Sequence, residues 1–224
     1  MTEELWTNVD HYLSNLLVPA EPGLDAALEA SHAAGLPAIA VAPNQGKLLH
    51  VLARAIGARH ILEIGTLGGY STIWLARALP AGGRLITLEA DARHAEVANA
   101  NLAHAGLAEV AEVRIGRALE TLPKIAAERR EPFDLVFIDA DKPSNADYFA
   151  WALRLSRRGS LIIVDNVVRG GAITDAANED PNVVGTRRFL DILAAEPRVS
   201  ATVIQTVGSK GHDGFAIALV LADS

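Results

Sequence analysis

Two short apolar runs each break off at a carboxylate. FDLVFID (133–139) leads into Asp139-Ala140-Asp141-Lys142, and SLIIVD (160–165) leads into Asp165-Asn166. If the two runs are neighbouring strands they lie about 4.8 Å apart, and Asp139 and Asp165 stand side by side. Two carboxylates so placed repel unless a cation or a proton lies between them. Asn166 adds a neutral amide oxygen. Successive strand residues face opposite ways, so Asp165 and Asn166 converge only where the strand is already turning. An all-oxygen set suits a hard ion, Mg²⁺, Mn²⁺ or Ca²⁺. Strand-end Asp and Asn residues also cap turns and helices. Either segment alone reads that way; the two together, with Lys142 beside them, favour the metal.

A second constellation stands upstream, where the run HILEI (60–64) enters Glu63-Ile64-Gly65-Thr66-Leu67-Gly68-Gly69-Tyr70-Ser71. Glycines let a backbone turn sharply and approach a ligand, and a following helix offers free N–H groups to an anion. The next apolar run ends in Glu89, the kind of acidic residue that holds a ribose diol about 20 or more residues after such a turn. Together they predict a nucleoside-type cofactor. The dinucleotide fingerprint G-x-G-x-x-G is not met, because Gly65, Gly68 and Gly69 leave out its second glycine. Nor is there a Tyr-x-x-x-Lys pair: Leu16, Trp74 and Ala152 follow Tyr12, Tyr70 and Tyr148 by four residues. The turn resembles instead the E-x-G-x-x-x-G motif of class I methyltransferases, whose ligand has no phosphate.

The elements that must position these groups alternate. Strands are predicted at 60–64, 84–89, 110–115, 133–139 and 160–165. Helices are predicted between them, from the glycine turn through Leu79 and at 92–105, 118–129 and 145–157. A helix at 183–195 and strands at 199–206 and 214–221 close the chain. This order predicts a mostly parallel, seven-stranded, doubly wound α/β sheet with helices on both faces. Its ligands belong beyond the carboxyl ends of the strands. Three helices precede it, at 3–17, after Pro22 to Gly35, and from Pro43 to Ile56. The first two are expected to cover the cofactor, to pack on a second subunit, or to add one extra layer to the monomer.

A chain of 224 residues, half of them hydrophobic, fits one domain, a helical cap (1–57) on a Rossmann-like core (58–224). The net charge of −7 argues against nucleic-acid or anionic-membrane partners. With no cysteine, thiolate nucleophiles and Cys-ligated zinc are excluded. The acidic start MTEELWTNVDHYL is unlike a signal peptide, and no apolar stretch reaches the roughly 20 residues of a membrane helix. A cytoplasmic enzyme is expected. The seven histidines show no metal-like spacing; His94 and His104 read as surface or packing residues, and Trp6, Trp74 and Trp151 as core.

Taken together, EIGTLGGYS (63–71), Glu89, GRALETLP (116–123), FIDADK (137–142) and DNV (165–167) resemble the metal-dependent O-methyltransferases, the caffeoyl-CoA and catechol O-methyltransferase family in its bacterial branch. The resemblance covers essentially the whole chain. It implies methyl transfer from S-adenosylmethionine to a hydroxyl of a catechol-like vicinal diol, a divalent cation with Mg²⁺ favoured, and a homodimer. It implies that Asp139, Asp165 and Asn166 bind the metal and that Lys142 is the general base. It implies that Val41, Glu63, Gly65, Thr66, Ser71, Glu89 and Ala118 line the cofactor pocket, with Asp139 also facing the cofactor's methionine end. The chain departs from the family pattern at Arg117, at Val167-Val168-Arg169-Gly170 where many members carry a tryptophan, and in a longer, more basic loop at 208–214. Arg169 and that loop are expected to touch substrate or a second subunit. The alternatives are an NAD-dependent oxidoreductase and a non-catalytic S-adenosylmethionine-binding module.

Overall fold

The computed structural model describes residues 2–18, 20–128 and 131–223. Three helices come first: α1 (Glu3–Leu17), α2 (Pro22–Ala33) and α3 (Pro43–Ala55). The sheet then alternates with helices: β1 (His60–Ile64), α4 (Tyr70–Ala76), β2 (Arg84–Glu89), α5 (Ala92–His104), β3 (Ala111–Ile115), α6 (Ala118–Ala127), β4 (Phe133–Ile138), α7 (Asn145–Leu155), β5 (Ser156–Asp165), α8 (Pro181–Ala195), β6 (Val199–Gly208) and β7 (Gly211–Val220). The seven strands lie in the order β3-β2-β1-β4-β5-β7-β6. The first five are parallel, and β7 and β6 run antiparallel to their neighbours. This is the predicted Rossmann-like class I methyltransferase architecture.

The two-residue period of the strands builds two cores. Leu62, Ile64, Ile86, Leu88, Val136, Ile138, Ile162 and Val164 point to one face, where α6, α7 and α8 cover them with Leu122, Phe149 and Phe189. Ile61, Leu85, Leu135, Phe137 and Ile163 point to the other, under Leu24, Leu49, Ile73, Trp74 and Leu102 of α2 to α5. Burying each such side chain stabilises the fold by roughly 1.5–3 kcal/mol, so register is strongly fixed on both faces.

Several boundaries differ from the sequence reading. α4 stops at Ala76, because Ala78 and Leu79 bond three residues back and Pro80 follows. The predicted helix 118–129 ends at Ala127, and its residue 129 lies outside the described residues. β5 starts four residues early, at Ser156. The supposed loop at 208–214 is the tip of a hairpin, in which pairing continues to Gly208 and Gly211 around Ser209-Lys210. Two 3₁₀ segments, Lys142–Ser144 and Arg169–Thr174, were not foreseen. Trp74 is core, but Trp6 and Trp151 are only half-buried. Among the described residues, no helix is long and apolar enough to cross a membrane.

One close contact bears on the site. α8 packs on the 142–144 turn through Gly185, where an added Cβ would sit 2.5 Å from Pro143 Cα and 2.6 Å from the Lys142 carbonyl oxygen. Both are backbone atoms and cannot swing away. Gly185→Ala should therefore destabilise the fold by about 1–3 kcal/mol despite alanine's better helix propensity. That corresponds to a melting temperature lower by roughly 2–12 °C. An unchanged or raised melting temperature would mean that α8 can lift off the turn.

Candidate functional site

The exit of β1 decides how the neighbouring exits approach. Gly65 has φ +102, and an added Cβ would lie 2.1 Å from the Asp139 carbonyl oxygen. The Asp139 amide donates to the Ile64 carbonyl at 2.9 Å, and the Gly65 amide to the Leu88 carbonyl at 3.0 Å. The glycine thus allows β1 and β4 to leave the sheet in contact. The turn itself is closed by Glu89, whose Oε2 accepts from the Thr66 and Leu67 amides at 3.2 and 2.8 Å. Its Oε1 accepts from the Asp91 amide at 3.0 Å. Glu89 keeps a face on the cavity beyond the strands.

That cavity holds about 730 Å³. Val41, Gly65, Thr66, Ser71, Glu89 and Ala118 all line it, as does Asp139. Its opposite wall comes from Leu28, Ser31 and His32 of α2 and from the 36–41 segment. Of the first two helices, α2 therefore covers the cavity, while α1 lies as an added layer on α3 and β6. Glu63 stands behind the wall, fully buried, accepting from Ser71 Oγ at 2.6 Å and from the Thr72 hydroxyl.

At the chemistry end, β4 and β5 are adjacent and parallel, with Ile138 opposite Val164. The next residues, Asp139 and Asp165, are therefore neighbours. Asn166 takes φ +56, a left-handed conformation that Asn tolerates, and its side chain joins the cavity wall directly after Asp165. Lys142 is buried on its 3₁₀ turn and donates from Nζ to Asp139 Oδ1 at 2.8 Å. Burial and the Asp139 charge push the Asp165 carboxyl well up, against the pull of Lys142. Among the described residues no group of three or more His, Cys, Asp or Glu side chains could hold a metal ion. The donors here are two carboxylates and one amide oxygen. Mg²⁺ is commonly held by one or two carboxylates and keeps several waters, so this set fits it.

The structure adds residues that the motifs did not reveal. His94, read as surface or packing, lines the cavity with Nδ1 3.7 Å from Glu89 Oε1. Its position in the first turn of the helix after Glu89 was the available signal. Tyr148 also lines the cavity and donates its hydroxyl to Asp141; burial first, and then Asp141, push its pKa up. Arg169 reaches the wall with φ +55. Its amide and that of Val168 donate to Asp213 Oδ1 at 2.9 and 3.0 Å. The hairpin tip meets the N-terminal segment: the Ser209 amide donates to Asp10 at 2.7 Å and Lys210 Nζ to the Ala38 carbonyl at 3.2 Å. Arg117 is exposed between the cavity residues Gly116 and Ala118.

Known proteins resemble this chain over nearly its whole length. A family model described as O-methyltransferase matches residues 21–219. A catechol O-methyltransferase of Niastella koreensis is 51% identical over 220 residues, 98% of this chain and 100% of that protein. An O-methyltransferase from Bacillus cereus, solved in complex with SAH, superposes with TM-score 0.96 at 56% identity, covering 98% of this chain and 100% of that one. The O-methyltransferase TomG from Streptomyces achromogenes, involved in tomaymycin synthesis and solved with SAM, gives TM-score 0.96 at 53% identity, over 99% and 100% of the two chains.

Burial pushes the Glu63 carboxyl up to about 7, although Ser71 and Thr72 donate to it. A carboxyl raised in the folded state above its unfolded value of 4.5 stabilises the fold fully only below that value. The contribution is lost as pH rises through about 7. Glu63→Gln cannot ionise. It should therefore gain stability on the parent protein between about pH 4 and pH 8, by up to about 3 kcal/mol. Urea unfolding of both proteins at the two pH values measures this, and parallel pH dependences would contradict it.

Proposed function

The chain belongs to the O-methyltransferase family, and from that premise we propose its reaction: divalent-metal-dependent methylation of one hydroxyl of a catechol-like vicinal diol, with S-adenosylmethionine as methyl donor. The observation that carries this reading is the convergence of Asp139, Asp165, Asn166 and Lys142 at the exits of two neighbouring strands. The cofactor-bound relatives support the donor, and the name of the Niastella koreensis relative supports the diol. Family membership removes the oxidoreductase alternative, and a complete set of candidate ligands beside Lys142 argues against a module without chemistry.

Each residue has a physical task in this reading. Glu89 presents its carboxylate to the ribose diol, while Val41 and Ala118 supply apolar contact to the nucleoside. Gly65, Thr66 and Ser71 receive the methionine end, and Glu63 fixes the Ser71 hydroxyl from behind. Asp139, Asp165 and Asn166 would hold the cation. When bound, it supplies positive charge that lowers the pKa of the acceptor hydroxyl and fixes its direction. Lys142 would take the hydroxyl proton on Nζ from its neutral amine form, a form that the charge of a cation held nearby favours over the ammonium that pairs with Asp139 here. α2 and the 36–41 segment keep water from the donor and orient it, and orientation of this kind can contribute about 7–11 kcal/mol in favourable cases. No covalent enzyme intermediate is needed.

The reading includes a homodimer. α1 buries none of its residues, and Leu5, Val9, Tyr12, Leu13, Leu16 and Leu17 are exposed on it. Val203, Ile204 and Val207 are exposed on the adjoining edge strand β6. Apolar surface of this extent commonly marks an interface.

The test is a methyl-transfer assay with catechol, Mg²⁺ or chelator, and the Lys142→Ala variant. Chelator should abolish the activity and Mg²⁺ restore it. Lys142→Ala should lower kcat by about 10²–10⁴-fold while S-adenosylmethionine binds as before. Chelator-insensitive transfer would contradict the metal role, and equal loss of rate and cofactor affinity the base role.

A further inference from the structure

Gln45 belongs to the N-terminal segment outside the sheet, yet it reaches the chemistry end. From the first turn of α3 its Nε2 donates to Asp165 Oδ2 at 2.7 Å. The other oxygen, Oδ1, accepts from the Asn166 amide at 2.8 Å. Asp165 is therefore held by one bond on each oxygen, at a position only 4% exposed. The chemical type of the donor matters there. A lysine or arginine in place of Gln45 would neutralise Asp165 and repel a second cation. A neutral amide favours the ionised carboxylate, fixes its plane, and leaves each oxygen a further lone pair.

The backbone that carries this side chain is itself anchored. The Gln45 backbone N–H donates to Asn44 Oδ1 at 2.8 Å, and Asn44 Nδ2 donates to Asp10 Oδ1 at 2.9 Å. Asp10 Oδ2 accepts from the Ser209 amide at 2.7 Å. Hydrogen bonds from the tip of the β6–β7 hairpin through α1 thus anchor the backbone at the start of α3, and from that backbone the Gln45 side chain reaches Asp165. Gln45 is not among the residues that line the cavity.

We infer that Gln45 is a positioning residue for the divalent cation, orienting Asp165 as a ligand without touching cofactor or acceptor. The inference rests on the metal-binding reading of Asp139, Asp165 and Asn166. Groups that orient metal ligands commonly change metal affinity by about 10–100-fold when removed, and that is the size of effect expected here.

The experiment is calorimetric titration of chelator-treated protein with Mn²⁺, with S-adenosylmethionine affinity and melting temperature measured in parallel. The wild-type titration comes first; failure of the wild type to bind Mn²⁺ overturns the metal reading and this inference with it. Gln45→Met keeps the side-chain length and loses the donor. It should bind Mn²⁺ about 10–100-fold more weakly, with cofactor affinity unchanged and the Mn²⁺ concentration for half-maximal rate raised in step. Gln45→Ala should behave alike and guards against misfolding of the first variant. Wild-type Mn²⁺ affinity in both variants, an equal fall in cofactor affinity, or loss of fold in both would each overturn the inference and make Gln45 a structural prop.

Discussion

The structure is organised around two carboxylates that the sheet forces together. Because β4 and β5 are neighbours in register, Asp139 and Asp165 leave the sheet side by side. Asp165 is almost wholly removed from water. Charge of one sign in so small a volume is unfavourable unless opposite charge and hydrogen bonds surround it. The surroundings supply both: the Lys142 ammonium on Asp139, and the Gln45 amide and Asn166 N–H on Asp165. In the proposed reaction, the repulsion that remains is the driving force for holding a small, doubly charged ion.

Backbone geometry serves the same end. Asn166 is left-handed, so its side chain can turn into the site directly after a strand residue. Gly65 admits the Asp139 carbonyl where any Cβ would collide. Gly185 lets α8 press on the turn that carries Lys142. At the cofactor end Glu89 binds the turn amides and keeps a face on the cavity, so one carboxylate both closes the glycine turn and, in the proposed reading, is presented to the ribose. A ligand without phosphate has no need of the second glycine in the dinucleotide pattern, and Leu67, with φ +52, stands at that position instead.

Much of this was legible in the sequence because the signals are local. Short apolar runs ending at or beside Glu63, Glu89, Asp139 and Asp165, each followed by helix-forming sequence, define the α/β class and which end of the sheet takes ligands, while the strand order that makes β4 and β5 neighbours is seen only in the structure. The convergence of Asp165 and Asn166 required a turning strand, and the left-handed Asn166 supplies it. What escaped was set by tertiary contact. His94 reads as an ordinary helical residue until the position of Glu89 is known. Gln45 lies 120 residues from its partner, in a helix whose pattern predicts packing and nothing more. The 208–214 stretch, with three glycines and a lysine, reads as a loop, but pairing across the hairpin carries the strands almost to its tip. Trp6 sits on a helix that, among the described residues, has no fully buried side chain.

The most direct measurement is anomalous diffraction from crystals grown with Mn²⁺ and S-adenosylmethionine. The account predicts one strong anomalous peak within bonding distance of carboxylate oxygens of Asp139 and Asp165 and of the Asn166 side-chain oxygen. A peak elsewhere, or none at that place in an enzyme that still methylates catechol, would contradict it and leave the aspartate pair a feature of the fold alone.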